Sequence, residues 1–487
     1  MRSPNALSVA LASVTAAALI AAAAIGFNLW RGGWWPFTVE VASPLVPAPQ
    51  LDNEQAERYS GVAQIREDSA CTGWLLDTQA DGPAYLITNG HCTQARNLLP
   101  TEVGLDLPAE SAVTFGRGGR ASSLTVKAKR VVYSSMNGTD VSVVELNASL
   151  PRLRNNGIEA YRPAPQLPSG RLVDNVGVPV QGVPAGQIAP RIGQCVTGEP
   201  VGVIELGWFF DGAQAVDCPG ILGGSSGSPL FDRTDRVVGM ITTTTAGATA
   251  AGGECWLNKP CERTESGARV VPDTSYAVGV QELTGCFPDG RFALADGCSL
   301  PRPGLVASAV LASVNAGTDT ISAELTAPRP TSVWTGVAPL TDADACADPA
   351  TYERTVAAGQ RKTVIQTDLP TAEGFYVWCL QDVAAPDQPA RVVLQRDLTP
   401  PARTPRLSVE QGKEGVRVQP VFSPPELSDF RIKYGPAAST DCADTAGYVA
   451  FRRVPAFIPA DALPVRFCYV GADLAGNETP VFSRDLS

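Results

Sequence analysis

Twelve cysteines stand in this chain of 487 residues, and no C-x-x-C pair occurs among them. An even set without metal-ligand spacing suits disulfides in an oxidising compartment better than zinc. Any fold open to the chain must therefore bring its cysteines together in pairs, outside the cytoplasm. Nearest-neighbour pairing joins Cys195 with Cys218, Cys255 with Cys261 and Cys286 with Cys298, although connectivity is not fixed by sequence. The 41 prolines and 46 glycines punctuate many short β-prone runs. That pattern, at this length, predicts an all-β chain of about three domains. The net charge of −11 argues against a nucleic-acid partner, which needs a basic face. No metal site and no cofactor are expected, since the chain holds a single histidine.

That histidine lies in Ile87-Thr88-Asn89-Gly90-His91-Cys92. Any reaction here that uses imidazole as a base must use His91. Downstream the chain reads Asn137-Gly138-Thr139-Asp140, followed by the apolar run Val141 to Leu146. Further on it reads Gly223-Gly224-Ser225-Ser226-Gly227-Ser228-Pro229. A serine hydroxyl needs an adjacent base to attack at neutral pH, and imidazole suits the task. A buried carboxylate fixes the imidazole tautomer, and glycines beside the serine free backbone N–H groups for a developing oxyanion. Ala84 to Thr88 reads as a strand and Asn89-Gly90 as a turn, so His91 is expected just past a strand end. Asp106 also lies between His91 and Ser226, but its setting Gly104-Leu105-Asp106-Leu107-Pro108 lacks the long following strand.

These segments resemble the trypsin/chymotrypsin family of serine proteases. Thr88-Asn89-Gly90-His91-Cys92 is similar to the family's T-A-x-H-C signature, and Gly224 to Pro229 to its G-D-S-G-G-P signature. The order His, Asp, Ser fits this family and not the α/β-hydrolases. The resemblance implies a chymotrypsin-like double β-barrel over residues 56–300. It implies His91 as general base, Asp140 as orienting carboxylate, Ser226 as nucleophile, and the N–H groups of Gly224 and Ser226 as the oxyanion hole. It also implies a Cys71–Cys92 bridge beside His91.

The chain departs from the G-D-S-G-G-P signature at two positions. Ser225 stands where the signature has aspartate, so the ion pair formed with a new N-terminus in trypsin-type members cannot form. Ser228 replaces a glycine. The substrate pocket that the resemblance implies is lined by Gly220, Thr242, Thr243 and Thr244, with no charge to select lysine or arginine.

Residues 1–35 read as a signal anchor or signal peptide. Leu7 to Trp30 carries no charged residue, and as a helix it would span about 36 Å, enough to cross a bilayer. Residues 36–55, with Pro44, Pro47 and Pro49, read as a stalk. The C-terminal third holds a repeat about 90 residues long, one small domain per copy. Cys346-Ala347-Asp348 answers Cys442-Ala443-Asp444, and Arg396-Asp397-Leu398 answers Arg484-Asp485-Leu486. Residues 304–398 and 403–487 are each expected to form a β-sandwich of immunoglobulin or fibronectin-III type, with bridges Cys346–Cys379 and Cys442–Cys468. They serve as spacers or bind a cell-surface or protein ligand. The expectation is an extracytoplasmic serine endopeptidase acting on protein or peptide, membrane-anchored through its N-terminal helix or secreted. The alternative is a catalytically silent adhesion or binding protein on the same fold.

Overall fold

The computed structural model describes residues 46–487 except 67–69, 94–98, 117–122, 247–254, 266, 310–311 and 343–344. The apolar segment expected over residues 1–35 lies outside the described residues, as does the stalk up to residue 45. Among the described residues no helix is long and apolar enough to cross a membrane. Ser43–Ser487 forms one compact unit.

The chain enters through a short helix, α1 (Asn53–Arg58), opened by a reciprocal cap. Asp52 Oδ1 accepts the Gln55 N–H at 2.8 Å, and Gln55 Oε1 accepts the Asp52 N–H at 3.0 Å. Two orphan donors of the first turn are thereby satisfied. The end of the segment read as a stalk is thus built into the fold.

Seven strands follow: β1 (Val62–Arg66), β2 (Ala70–Leu75), β3 (Pro83–Thr88), β4 (Val103–Pro108), β5 (Ala112–Phe115), β6 (Leu124–Ser135) and β7 (Val141–Ser149). They run in the order β4-β6-β5-β1-β2-β3-β7, and a further pairing of β6 with β7 closes six of them into a barrel. After α2 (Leu150–Asn155) come β8 (Leu172–Gly177), β9 (Arg191–Glu205), β10 (Trp208–Asp217), β11 (Pro229–Phe231), β12 (Val237–Thr244), β13 (Cys261–Thr264), β14 (Gly267–Arg269) and β15 (Ser275–Gly279). Pairing of β9 with β10 closes β10-β15-β12-β11-β8-β9 into a second ring, and the β13–β14 hairpin extends it from β9. Closure satisfies the edge hydrogen bonds that an open sheet would expose. Trp74, Tyr85 and Tyr133 of the first ring share one apolar cluster with Phe231, Met240 and Tyr276 of the second. Each such side chain taken out of water stabilises the pair of rings by about 1.5–3 kcal/mol.

The first repeat follows with β16 (Val306–Ala307), β17 (Ala312–Val314), β18 (Thr320–Thr326), β19 (Thr331–Pro339), β20 (Arg354–Ala358), β21 (Thr363–Asp368), β22 (Gly374–Asp382) and β23 (Ala390–Arg396). Its sheets, β16-β18-β21 and β17-β23-β22-β19-β20, share one core. In β18 alternate residues Ile321, Ala323 and Leu325 are buried, toward Trp378 and Val392 of the other sheet. The second repeat has β24 (Leu407–Gly412), β25 (Gly415–Pro420), β26 (Asp429–Pro436), β27 (Val449–Ala450), β28 (Ala456–Pro459), β29 (Val465–Ala472) and β30 (Phe482–Leu486). Its sheets, β24-β25-β28 and β27-β26-β29-β30, pack around Val416, Val418, Phe430 and Phe467.

All twelve cysteines are bridged, as Cys71–Cys92, Cys195–Cys218, Cys255–Cys261, Cys286–Cys298, Cys346–Cys379 and Cys442–Cys468. The first repeat is packed onto the second ring. Ile204, Phe209 and the Cys255–Cys261 bridge share an apolar cluster with Leu340, Val377, Val393 and the Cys346–Cys379 bridge. Beside that cluster Arg391 Nη1 of β23 lies 2.7 Å from Asp211 Oδ2 of β10.

Candidate active site

His91 contacts Asp140, and the main chain of Ser226 lies against Thr72 and Cys92. β3 ends at Thr88, and the chain turns through Asn89 into a single 3₁₀ turn, Gly90–Cys92. Glycine is required at 90, because a Cβ there would lie 2.4 Å from the Ser135 carbonyl oxygen and 3.1 Å from Asp140 Oδ1. The Cys71–Cys92 bridge ties this turn to β2. Asp140 stands directly before β7 and is completely buried. Its Oδ2 lies 2.7 Å from His91 Nδ1, and its Oδ1 accepts the His91 main-chain N–H at 3.1 Å. Asn89 Nδ2 donates to the Asp140 carbonyl at 2.9 Å, and the Thr242 hydroxyl donates to Asp140 Oδ2. Both carboxylate oxygens are therefore engaged, as a buried charge requires.

Ser226 lies between β10 and β11 and is half-buried. Its carbonyl accepts the Thr72 N–H at 2.8 Å and lies 3.9 Å from Cys92 Sγ. The bridge that holds the His91 turn thus also touches the serine loop. Gly227 has φ +82°, and a Cβ there would lie 2.2 Å from the Thr72 carbonyl. Gly224 has φ +102°. Its carbonyl accepts the Thr72 hydroxyl at 2.8 Å, which in turn accepts the Val178 N–H at 2.8 Å. In this loop the N–H groups of Gly223, Ser225, Gly227 and Ser228 all have acceptors. Among the described residues those of Gly224 and Ser226 have none. Two donors side by side at the serine can receive negative charge on a substrate oxygen.

Ser225 is buried, and its Oγ accepts the Leu222 N–H at 3.2 Å while its own N–H donates to the Leu222 carbonyl at 2.9 Å. Local hydrogen bonds hold the residue that carries a charge in the resembled family. Ser228 accepts from Asn175 Nδ2 at 2.8 Å.

The four residues expected to line a substrate pocket fall in different places. Thr242 is buried and directs its hydroxyl to Asp140. Thr243 bonds Glu205, a buried acid at the end of β9 that also accepts the Asn258 N–H at 2.7 Å. Burial raises the Glu205 carboxyl above its ordinary value. The Thr244 hydroxyl contacts the Ser275 hydroxyl at 3.1 Å. A Cβ at Gly220 would lie 2.4 Å from the Ala48 nitrogen, so main chain occupies that side of Gly220. Asp106 is remote, exposed on β4 at φ +51° and paired with Arg130. The two cysteines nearest the imidazole are bridged and offer no thiolate for a metal. Sequence reasoning missed Thr72 and the support given by Thr242, because both act through tertiary contacts. The threonine run at 242–245 was the one signal available.

No curated protein matches this chain. Among solved structures it is similar to the inactive form of Rv3671c from M. tuberculosis H37Rv, at 16% identity and a TM-score of 0.30, over 50% of this chain and 89% of that one. It is similar to a scabies mite inactivated protease paralogue, SMIPP-S-D1, at 12% identity and a TM-score of 0.31, over 49% and 93%. A Glu endopeptidase matches at 17% identity and a TM-score of 0.27, over 43% and 90%. A family model described as Trypsin-like peptidase domain matches residues 71–240, the span that holds the His91 turn, Asp140 and the Ser226 loop. Over residues 71–240 this chain is similar to the trypsin-like peptidase domain.

Proposed function

We propose that the chain is an extracytoplasmic serine endopeptidase that cleaves peptide bonds through His91, Asp140 and Ser226. The observation that carries this reading is the 2.7 Å contact between His91 Nδ1 and the fully buried Asp140. That contact leaves Nε2 as the basic nitrogen of the neutral ring. His91 then takes the Ser226 hydroxyl proton as Oγ attacks the scissile carbonyl. The N–H groups of Gly224 and Ser226 receive the oxyanion of the tetrahedral intermediate. His91 passes its proton to the leaving amine, and the peptide acyl group stays on Ser226. Water, deprotonated by the same imidazole, releases the acid.

Six disulfides support work in an oxidising compartment. The apolar stretch from Leu7 to Trp30 supports export and attachment to a membrane.

The test is turnover of a peptide library by the full chain and three variants. Ser226→Ala and His91→Ala should each lower kcat by on the order of 10⁶. Asp140→Asn should lower it by about 10⁴, since the carboxamide favours the wrong imidazole tautomer. Turnover in any of these at the level of the unsubstituted chain contradicts the assignment.

A further inference from the structure

The residues just ahead of α1 grip the base of the loop that carries Ser226. Ala48 is only 5% exposed, although it stands in a proline-rich stretch. Arg191 Nη1 donates to the Ala48 carbonyl at 2.7 Å. The Ile192 N–H donates to the Pro49 carbonyl at 3.0 Å, and the Leu51 N–H to the Pro190 carbonyl at 3.3 Å. Gln50 pairs with Arg191 in an antiparallel bridge, so the segment adds a short edge to the start of β9.

The other side of Ala48 faces the serine loop. Gly220, at φ +75°, leaves room for the Ala48 main chain, and a Cβ there would meet Ala48 N at 2.4 Å and Ala48 Cβ at 2.8 Å. Next to it Cys218 is bridged to Cys195 of β9, two residues beyond Gly193. Two residues beyond Gly220, Leu222 makes two hydrogen bonds to Ser225. Ser225 lies between the two residues whose N–H groups remain unpaired. The chain thus leads from Gly220, which lies against Ala48, to Leu222, which is hydrogen-bonded to Ser225 between Gly224 and Ser226. A loop with glycines at 220, 223, 224 and 227 has many conformations open to it, so a fixed base narrows them.

We infer that residues 48–51 are a positioning segment for the oxyanion loop, laid across the start of β9 and Gly220 so that Gly224 and Ser226 aim their N–H groups together. No free N-terminus is needed for this, and Ser225 offers no charge to receive one. The inference rests on the proposed reading of Ser226. Residues 48–51 act through Gly220 and Leu222 and touch no substrate.

The test uses the full chain carrying Ala48→Lys with Arg191→Ala. A lysine cannot stay in the space that Ala48 fills, and the second change removes the guanidinium anchor. Limited proteolysis within residues 46–51 reports release of the segment, independently of activity. The expected result is a newly cleavable segment and a kcat lowered by about tenfold or more, with KM and the unfolding temperature little changed. Loss of an oxyanion donor costs about 10²–10³ in kcat, so this is partial misplacement. Ala48→Ser alone should keep full turnover. A released segment with unchanged kcat overturns the inference and leaves the protease reading standing. A segment that resists cleavage in the double variant also overturns it, because the named contacts would not be what holds it. An unsubstituted chain without turnover overturns both.

Discussion

Asp140 divides its work between its two oxygens. Oδ1 holds the main chain of the His91 turn, and Oδ2 holds the ring and takes the Thr242 hydroxyl. Thr242→Val keeps the shape and removes one charge-assisted hydrogen bond, so stability should fall by about 1.5–3 kcal/mol. Turnover should fall with it, and Thr242→Ser should restore both. Urea unfolding alongside kcat checks this, and a valine variant equal to the unsubstituted chain would contradict it. Glu282 gives a second prediction. Burial pushes its carboxyl up from the ordinary 4.5 to about 7, and among the described residues its Oε2 has no hydrogen-bond partner. Between those values the folded chain holds a proton that the unfolded chain has released. The contribution of Glu282 to stability therefore declines as pH rises from 4.5 to about 7. Glu282→Gln should flatten that part of the stability profile, measured by urea unfolding across the same window. An unchanged slope would show that Glu282 does not titrate there. At this scale His91, Asp140 and Ser226, the residues proposed to react, were picked out because each sits in a local motif. Thr72 was not, since nothing near it in sequence shows that its hydroxyl will bridge Val178 and Gly224.

Among the elements, the Cys71–Cys92 bridge ties the Gly90–Cys92 turn to β2 and touches the 223–228 loop, which Thr72 beside Cys71 also holds. The bridge closes a separation of 21 residues. Replacing both cysteines with alanine should lower stability by about 3 kcal/mol. Turnover should fall even where the chain remains folded, because the His91 turn and the Ser226 loop lose their common anchor. Activity assayed well below the unfolding temperature tests this. Full activity there would mean that the hydrogen bonds of Asp140 suffice. Strand periodicity is legible in β25 and β26, where alternate residues such as Val416 and Val418 or Phe430 and Ile432 are buried. The α1 helix was passed over as stalk, although Asp52 and Gln55 carry the spacing of a capping box. The prolines before it dominated the reading of that stretch. The threonines at 242–244 were assigned one shared role, but their strand sends neighbouring side chains to opposite sides.

For the whole molecule, the first repeat was read as a spacer or a ligand-binding module, and in the structure it packs onto the second ring. Val377 and Val393 are ordinary core residues by pattern, and an apolar alternation does not say which core a face will join. Here they cover Ile204 and Phe209 of the second ring. Removing residues 304–487 should expose that surface and make the remaining chain aggregate. The core of the second repeat draws only on residues 407 to 486, so removing 403–487 should leave a soluble chain that keeps its turnover. Size-exclusion chromatography and peptide hydrolysis on both truncations decide the matter. A soluble, active chain ending before residue 304 would show that the first repeat is dispensable.

The central claim is that Ser226 is a nucleophile activated by His91. Covalent labelling tests it most directly. The full chain is treated with a fluorophosphonate probe and the modified residue is mapped by mass spectrometry. One label per chain should appear on Ser226, and it should be lost in both Ser226→Ala and His91→Ala. An unlabelled folded chain, a label on another serine, or labelling of Ser226 that does not depend on His91 would contradict the claim.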